Sequence, residues 1–440
     1  MRHAQSILIR NARLWPEPDA PVQEGASILI EDGRIRKLGR FTRRADTEID
    51  AGGALAMPAF IHAHVHLCQA LFRNAAEDRA LLPWLRDFIW PLEAAHDPDS
   101  LRASARLACA ELIRGGTGAV FTMETVRHTG AVFEAVAPTG LMGVLGHCLM
   151  DESGGYAPLA VPLDDALAEC DTLLGRLEGE ERLALNIAPR FALSCTERTL
   201  REASAYARSR GLRLHTHASE QKAEVEEVIR RTGRHNVEYL DSVGLTGRDV
   251  GLAHCVHLLR REAERIRDTG THVLHCPSAN MKLGSGLAPV PAYLDAGISV
   301  GIGADGAACN NRLDMFAEMR LAGMIQKVRL GADALPARQI VRMATTGGAE
   351  VLGWEHELGA LREGWRANLI LLDLDMEHTQ PEGDPASTVV YSADSRNVAL
   401  TMVNGRILYE NGGLTTLDEE ALREEVKVQR RKLFQRAGLA

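Results

Sequence analysis

The 440-residue chain patterns as an α/β protein: a (β/α)8 barrel joined to a small β-sandwich built from both chain ends. Three observations carry this. Eight short apolar runs recur through the middle of the chain, each ending in a polar residue and followed by a helix-like stretch. Strands alternating with helices imply parallel βα units, and eight such units suggest a closed barrel. The two ends read instead as short strands with turns, each too small to hold a core alone.

The N-terminal runs ILIRNARLW and ASILIEDGRIRKLG alternate, broken at Asp32-Gly33 and Gly39. After Gly359, the runs ANLILLDLD and VALTMVNGRILYENG, with the Asn404-Gly405 turn, repeat that style. Residues 1–57 and 359–416 are therefore assigned to one composite sandwich and 58–358 to the barrel. Residues 417–440 are assigned to a charged helix packed outside. The barrel strands are read in MPAFIHAHVH, GAVFTMET, LMGVLGHCL, LALNIAPRF, LRLHTHASE, VGLAHCVH, THVLHCPS and ISVGIGADG. After the eighth, Leu313, Ala317, Leu321, Met324 and Val328 recur at helical spacing and predict one buried face.

Composition narrows the partners. A net charge of -9 argues against nucleic acid or an anionic membrane as a main partner, since both demand a basic face. The eight cysteines lie singly, with no C-x-x-C, so neither a zinc ribbon nor a disulfide framework is suggested. The first residues lack an apolar signal segment, and no run of apolar residues is long enough to span a bilayer. The expectation is a cytoplasmic enzyme with a small-molecule partner, homo-oligomerisation being left open.

A barrel places its chemistry where strands end. His64 and His66 end the first run, His217 and Glu220 follow the fifth, and His254, His275 and Asp305 end the sixth, seventh and eighth. Neutral imidazoles with a carboxylate suit zinc or a similar divalent ion. Residues two apart on a strand share a face, so His64 and His66 can grip one ion. His62 has the same parity but lies about 6–7 Å further down the strand from His66, which suits packing below the metal.

These residues resemble the amidohydrolase superfamily, and within it the deaminases of amino-substituted nitrogen heterocycles, methylthioadenosine/S-adenosylhomocysteine deaminases above all. The likeness runs through HAHVH (62–66), WLRDFIWPLE (84–93), HASE (217–220), AHCVHL (253–258), HCPSANMKLGSGLAP (275–289) and GADGAACNNRLDMFAEMRLA (303–322). The resemblance implies one divalent ion on His64, His66, His217 and Asp305, with Zn2+ expected and Fe2+ or Mn2+ as alternatives. No lysine stands at the end of the fourth strand, where binuclear relatives carry one. Such an ion lowers the pKa of its water toward neutrality. His254 is then implied to orient that water, Asp305 to accept its proton, and Glu220 to carry protons to a ring nitrogen and the departing amine. His275 is expected to support the site, and His257 to pack.

For the substrate, the resemblance implies Trp84 against an adenosine moiety and Glu93 on the ribose hydroxyls. Two residues pull elsewhere. Arg190 stands where nucleoside-type members carry histidine, and with Gln69 it is similar to the pattern of guanine deaminases. Arginine donates and cannot accept, which favours a carbonyl or carboxylate. The leading expectation is deamination of an adenosine derivative such as 5'-methylthioadenosine or S-adenosylhomocysteine. Guanine, 8-oxoguanine or pterin deamination and s-triazine hydrolysis remain as alternatives. A non-catalytic scaffold would require loss of the ligands or of Glu220, and all are present. Asn368, where relatives carry aspartate, is expected to affect packing only.

Overall fold

The computed structural model describes residues 6–152 and 156–439; residues 1–5, 153–155 and 440 lie outside the described residues, including the extreme ends of the two terminal assignments. The first strands are β1 (Ser6–Leu14), β2 (Gln23–Glu31), β3 (Arg34–Gly39), β4 (Thr47–Asp50) and β5 (Leu55–Pro58). They share one nine-stranded sheet with β15 (Leu369–Leu372), β16 (Val398–Val403), β17 (Arg406–Glu410) and β18 (Gly413–Leu414) from the other end. The join is antiparallel, Leu369 opposite Pro58 and Leu372 opposite Leu55. Alternate residues such as Ile7, Ile9, Ile28, Ile30, Leu369 and Leu371 point into one apolar cluster, so the sandwich is a single sheet closed over its own core. Asn368 holds the turn beside this sheet, its Oδ1 accepting from the Asn404 N–H at 2.7 Å.

The barrel strands follow in spatial order as in sequence: β6 (Phe60–His66), β7 (Thr117–Thr122), β8 (Met142–Leu149), β9 (Leu183–Pro189), β10 (Arg213–Ala218), β11 (Val250–His254) and β12 (His272–His275). The run MPAFIHAHVH thus splits: Met57 and Pro58 belong to the first sheet, and the barrel begins at Phe60. The eighth strand has two halves, β13 (Val300–Ile302) pairing with β12 and β14 (Asp305–Gly306) pairing with β6. At the break, a β-carbon on Gly303 would fall 2.3 Å from the His64 carbonyl oxygen. Only glycine permits this approach, which closes the barrel and brings Asp305 beside the first-strand histidines. All pairings among these strands are parallel, and β6, β7, β8 and β11 are buried along their whole length. Burial on both faces explains why they read as continuous apolar runs.

Helix Met315–Leu330 departs from the expected face. It buries Met315, Phe316, Met319, Ala322, Gly323 and Gln326, and leaves Met324 48% and Val328 89% exposed. Gly323 lies where Ile340 and the Tyr391 hydroxyl approach; a β-carbon there would meet both at 2.7 Å. After Met319 the packed side continues with Ala322, Gly323 and Gln326, which carry little hydrophobic signal, while the larger Met324 and Val328 stand outward. The last helix, Glu419–Arg436, buries only Leu422 and Leu433 and is pinned to helix Pro98–Arg114 by Arg106–Glu425 at 2.9 Å. No helix among the described residues is long and apolar enough to cross a membrane.

Candidate active site

The strand ends deliver His64, His66, His217 and Asp305 to one point, with ligand atoms all within 4.8 Å of one another. The Nε2 atoms of His64 and His66 each lie 3.3 Å from Asp305 Oδ1. What surrounds the histidines decides their tautomers. His66 Nδ1 donates to the Met123 carbonyl at 2.6 Å, and His217 Nδ1 to the Arg190 carbonyl at 2.7 Å. Carbonyls only accept, so both Nδ1 atoms carry the proton and both Nε2 atoms present a lone pair.

His64 is fixed at one remove. Its Nδ1 lies 2.7 Å from His215 Nε2, and His215 Nδ1 lies 3.1 Å from the Thr122 carbonyl. The carbonyl takes the His215 proton, so His215 Nε2 accepts from His64 Nδ1–H, and His64 Nε2 is left as a lone pair. Burial pushes the His64 pKa down to about 4 and holds His217 and His215 well below the ordinary value, so these rings are neutral. Three lone pairs and a carboxylate facing one point fit a divalent cation, and carbonyl partners behind the rings are the usual orienting arrangement. The second nearby group, His254, Cys276 and Asp305, fits less well. Burial raises the Cys276 thiol well above its ordinary pKa, away from the thiolate a metal needs.

His62 lies below, fully buried, with Nδ1 3.3 Å from the Ala304 N–H; burial pushes its pKa down to about 3. His275 is buried and makes no side-chain hydrogen bond among the described residues. His257 donates to the Ser285 carbonyl at 2.7 Å and so ties down a loop.

Glu220 and His254 face the same point. His254 Nε2 lies 3.5 Å from Glu220 Oε2 and 3.8 Å from Asp305 Oδ2. Its Nδ1 donates to Asn280 Oδ1 at 2.8 Å. Burial pushes the Glu220 carboxyl up to about 7, opposed by His254 and reinforced by the Asp305 and Glu224 carboxylates. Ser285 Oγ holds Glu220 Oε1 at 3.1 Å, leaving Oε2 toward His254. The helix-start charge in this stretch is Glu224, which accepts from the Glu220 N–H at 2.8 Å and from Asn236 at 2.8 Å. Glu220 is thereby free of capping duty. His254 and Asp305 also hold left-handed backbone conformations, φ +73° and +61°. For non-glycine residues this costs about 1–3 kcal/mol each, a strain that concentrates at functional sites.

Above lies a pocket. Trp84, Leu81, Leu85, Phe191 and Leu283 give it apolar walls, and Gln69 and Arg190 line it with polar groups. Trp84 ends helix Leu81–Trp84, where the chain passes into a π-helical turn, Leu85–Ile89. Such turns recur at functional sites. Glu93 sits behind this wall. Both its oxygens are engaged by Arg190, Nη1 to Oε2 and Nη2 to Oε1 at 3.1 Å, and Gln69 Nε2 reaches Oε1 at 2.9 Å. The three residues expected to make separate substrate contacts are one buried network. The signals missed in the sequence were His215, Asn280, Ser285 and Glu224. Only His215 had a readable one, since it repeats the H-x-H spacing of 64 and 66 at 215 and 217.

The amidohydrolase family model matches residues 55–408, and the chain belongs to that family. It is 37% identical over 423 residues to the 5-methylthioadenosine/S-adenosylhomocysteine deaminase of Halobacterium salinarum, covering 96% of each chain. It is 38% identical over 426 residues to the 5'-deoxyadenosine deaminase of Methanothermobacter thermautotrophicus, covering 96% of this chain and 97% of that one. Among solved structures, an adenosine deaminase from Xanthomonas campestris with bound zinc matches with a TM-score of 0.92 at 28% identity, covering 98% and 99% of the two chains.

Proposed function

We propose that this chain is a zinc-dependent aminohydrolase that releases ammonia from an adenosine derivative of the 5'-methylthioadenosine or S-adenosylhomocysteine kind. One observation carries the chemistry: a buried carboxyl with its pKa near 7, Glu220, faces His254 beside a three-histidine, one-aspartate ligand set. His64, His66, His217 and Asp305 would hold the ion, which when bound supplies Lewis acidity that acidifies a water. Glu220 takes a proton from the attacking water and delivers it to the ring nitrogen next to the amino-bearing carbon. The carbon gains a C–O bond. Glu220 then takes the remaining proton of the new hydroxyl and passes it to the amino group; the C–N bond breaks as the C=O bond forms, and ammonia leaves as a neutral molecule. A pKa near the working pH suits both directions of transfer. His254, its Nδ1–H fixed on Asn280, presents Nε2 to orient the water.

The names of the relatives support the adenosine derivative. The Arg190–Gln69 pair favours a second reading, a guanine-like base whose carbonyl would accept from the guanidinium. Ammonia release by the zinc-loaded protein from 5'-methylthioadenosine, S-adenosylhomocysteine, adenosine, guanine, 8-oxoguanine and pterin separates them. Turnover of the adenosine compounds is expected; turnover of guanine alone would replace the first reading with the second, and turnover of none would end both.

A further inference from the structure

We propose that Glu93 is a positioning residue that sets the hydrogen-bonding face of Arg190 and Gln69 toward the heterocycle, rather than the residue that holds a ribose. The inference rests on the purine-deaminase reading above. Glu93 is buried and is absent from the pocket walls, whereas Gln69 and Arg190 both line the pocket. A carboxylate offers about four acceptor positions. Three of them are spent on Arg190 and Gln69. A ribose diol would need two, and one is left.

What the network does to Gln69 is specific. A side-chain amide can sit either way round, with donor and acceptor exchanged. Beside an acceptor-only carboxylate, the NH2 must face Glu93. That leaves Gln69 Oε1 as a fixed acceptor. It is buried and has no hydrogen-bond partner among the described residues. It lies against Gly306, where a β-carbon would fall 1.9 Å from it, so glycine at 306 makes the room this oxygen occupies. A buried unpaired acceptor is costly, and a ligand N–H is the kind of partner that satisfies it. Arg190, held on Glu93 by two of its donors and hydrogen-bonded to the Cys148 side chain as well, still lines the pocket as a donor-only cation. The heterocycle therefore meets an acceptor and a cationic donor in fixed relation. Stability alone gives no reason for the arrangement, because replacing a buried ion pair by apolar residues is often neutral or stabilising.

The test uses the full chain with zinc and two products of purine deamination as probes, hypoxanthine and inosine, measured by calorimetric titration. In Glu93→Gln the amide of Gln69 is free to turn and the fork of Arg190 loses its anchor. Both probes are expected to lose affinity by about tenfold or more, and in equal proportion. Loss confined to inosine would overturn the proposal and return Glu93 to the ribose. Gln69→Met leaves the Arg190–Glu93 pair intact and is also expected to weaken both probes; no loss of either would overturn it, including where Glu93→Gln fails to fold. The double variant should lose less than the product of the single losses, because Glu93 acts through Gln69; multiplicative losses would refute that. A wild-type chain that bound neither probe and released no ammonia would instead bring down the functional reading itself.

Discussion

Removing the acceptor behind His64 should weaken the metal site from a distance, and His215→Phe is the cleanest way to do it. The His215 ring stacks on Phe121 at 4.3 Å between centroids, so a phenyl ring keeps the shape and the stack. What it loses is Nε2. His64 Nδ1–H, fully buried, then has no acceptor in place of the one now at 2.7 Å. An unsatisfied buried donor costs about 1–3 kcal/mol. The ring can escape that cost by moving its proton to Nε2, which removes the lone pair the ion needs. Either way the loss falls on metal binding, and outer partners of ligating histidines are worth about 10–100-fold in affinity. That factor corresponds to about 1.4–2.7 kcal/mol, inside the range set by the buried donor. Competition with a zinc chelator, followed with a metal-sensitive dye, reads the affinity directly and needs no substrate. His215→Gln, whose side chain can offer an oxygen, should recover part of the loss. Zinc affinity in His215→Phe equal to that of the wild type, in a protein with unchanged melting temperature, would refute the tautomer relay.

Three further outcomes are expected. Glu220→Gln should bind zinc as the wild type does yet lose about 10²–10⁴-fold in ammonia release; near-normal turnover in a steady-state assay would remove the proton-carrying role. Asp305→Ala should lower zinc content on elemental analysis, and a fully loaded, active variant would contradict the ligand set. Glu318 tests the linkage between burial and pH: burial pushes its carboxyl up to about 7 while Ser278 and Asn310 oppose the shift. A carboxyl raised on folding holds its proton in the native state between its ordinary value and about 7, so stability falls as pH rises through that window. Glu318→Gln should therefore gain on the wild type between pH 5 and pH 7.5 in urea midpoints, by at most about 3 kcal/mol; a pH-independent difference would refute it.

The barrel and the histidine–aspartate cluster at its mouth were legible because both are written in local spacing. A strand ending in a histidine can be read within ten residues, and closure of the barrel does the rest. Helix Met315–Leu330 was misread for the opposite reason, since the apolar stripe of its packed face, Met315, Phe316 and Met319, gives way to Ala322, Gly323 and Gln326 further along the helix. The pairing of Glu93 with Arg190 spans 97 residues and leaves no periodic trace. Read singly, an arginine suggests an oxo-purine and a glutamate suggests a ribose. Joined, they neutralise one another, and neither can be read by itself.

Arg190 also shows why the cluster at the strand ends could be read and the pocket above it could not. Its carbonyl holds His217 Nδ1 while its side chain reaches Glu93. Every residue at 190 offers the same carbonyl, so the metal site makes no demand on the side chain there. The side chain is free to answer to the pocket alone. Arg190→His should accordingly keep wild-type zinc affinity in the chelator assay while shifting the preference between adenosine and guanine. A variant that lost zinc in step with activity would show that the guanidinium, and not the carbonyl alone, holds His217 in place.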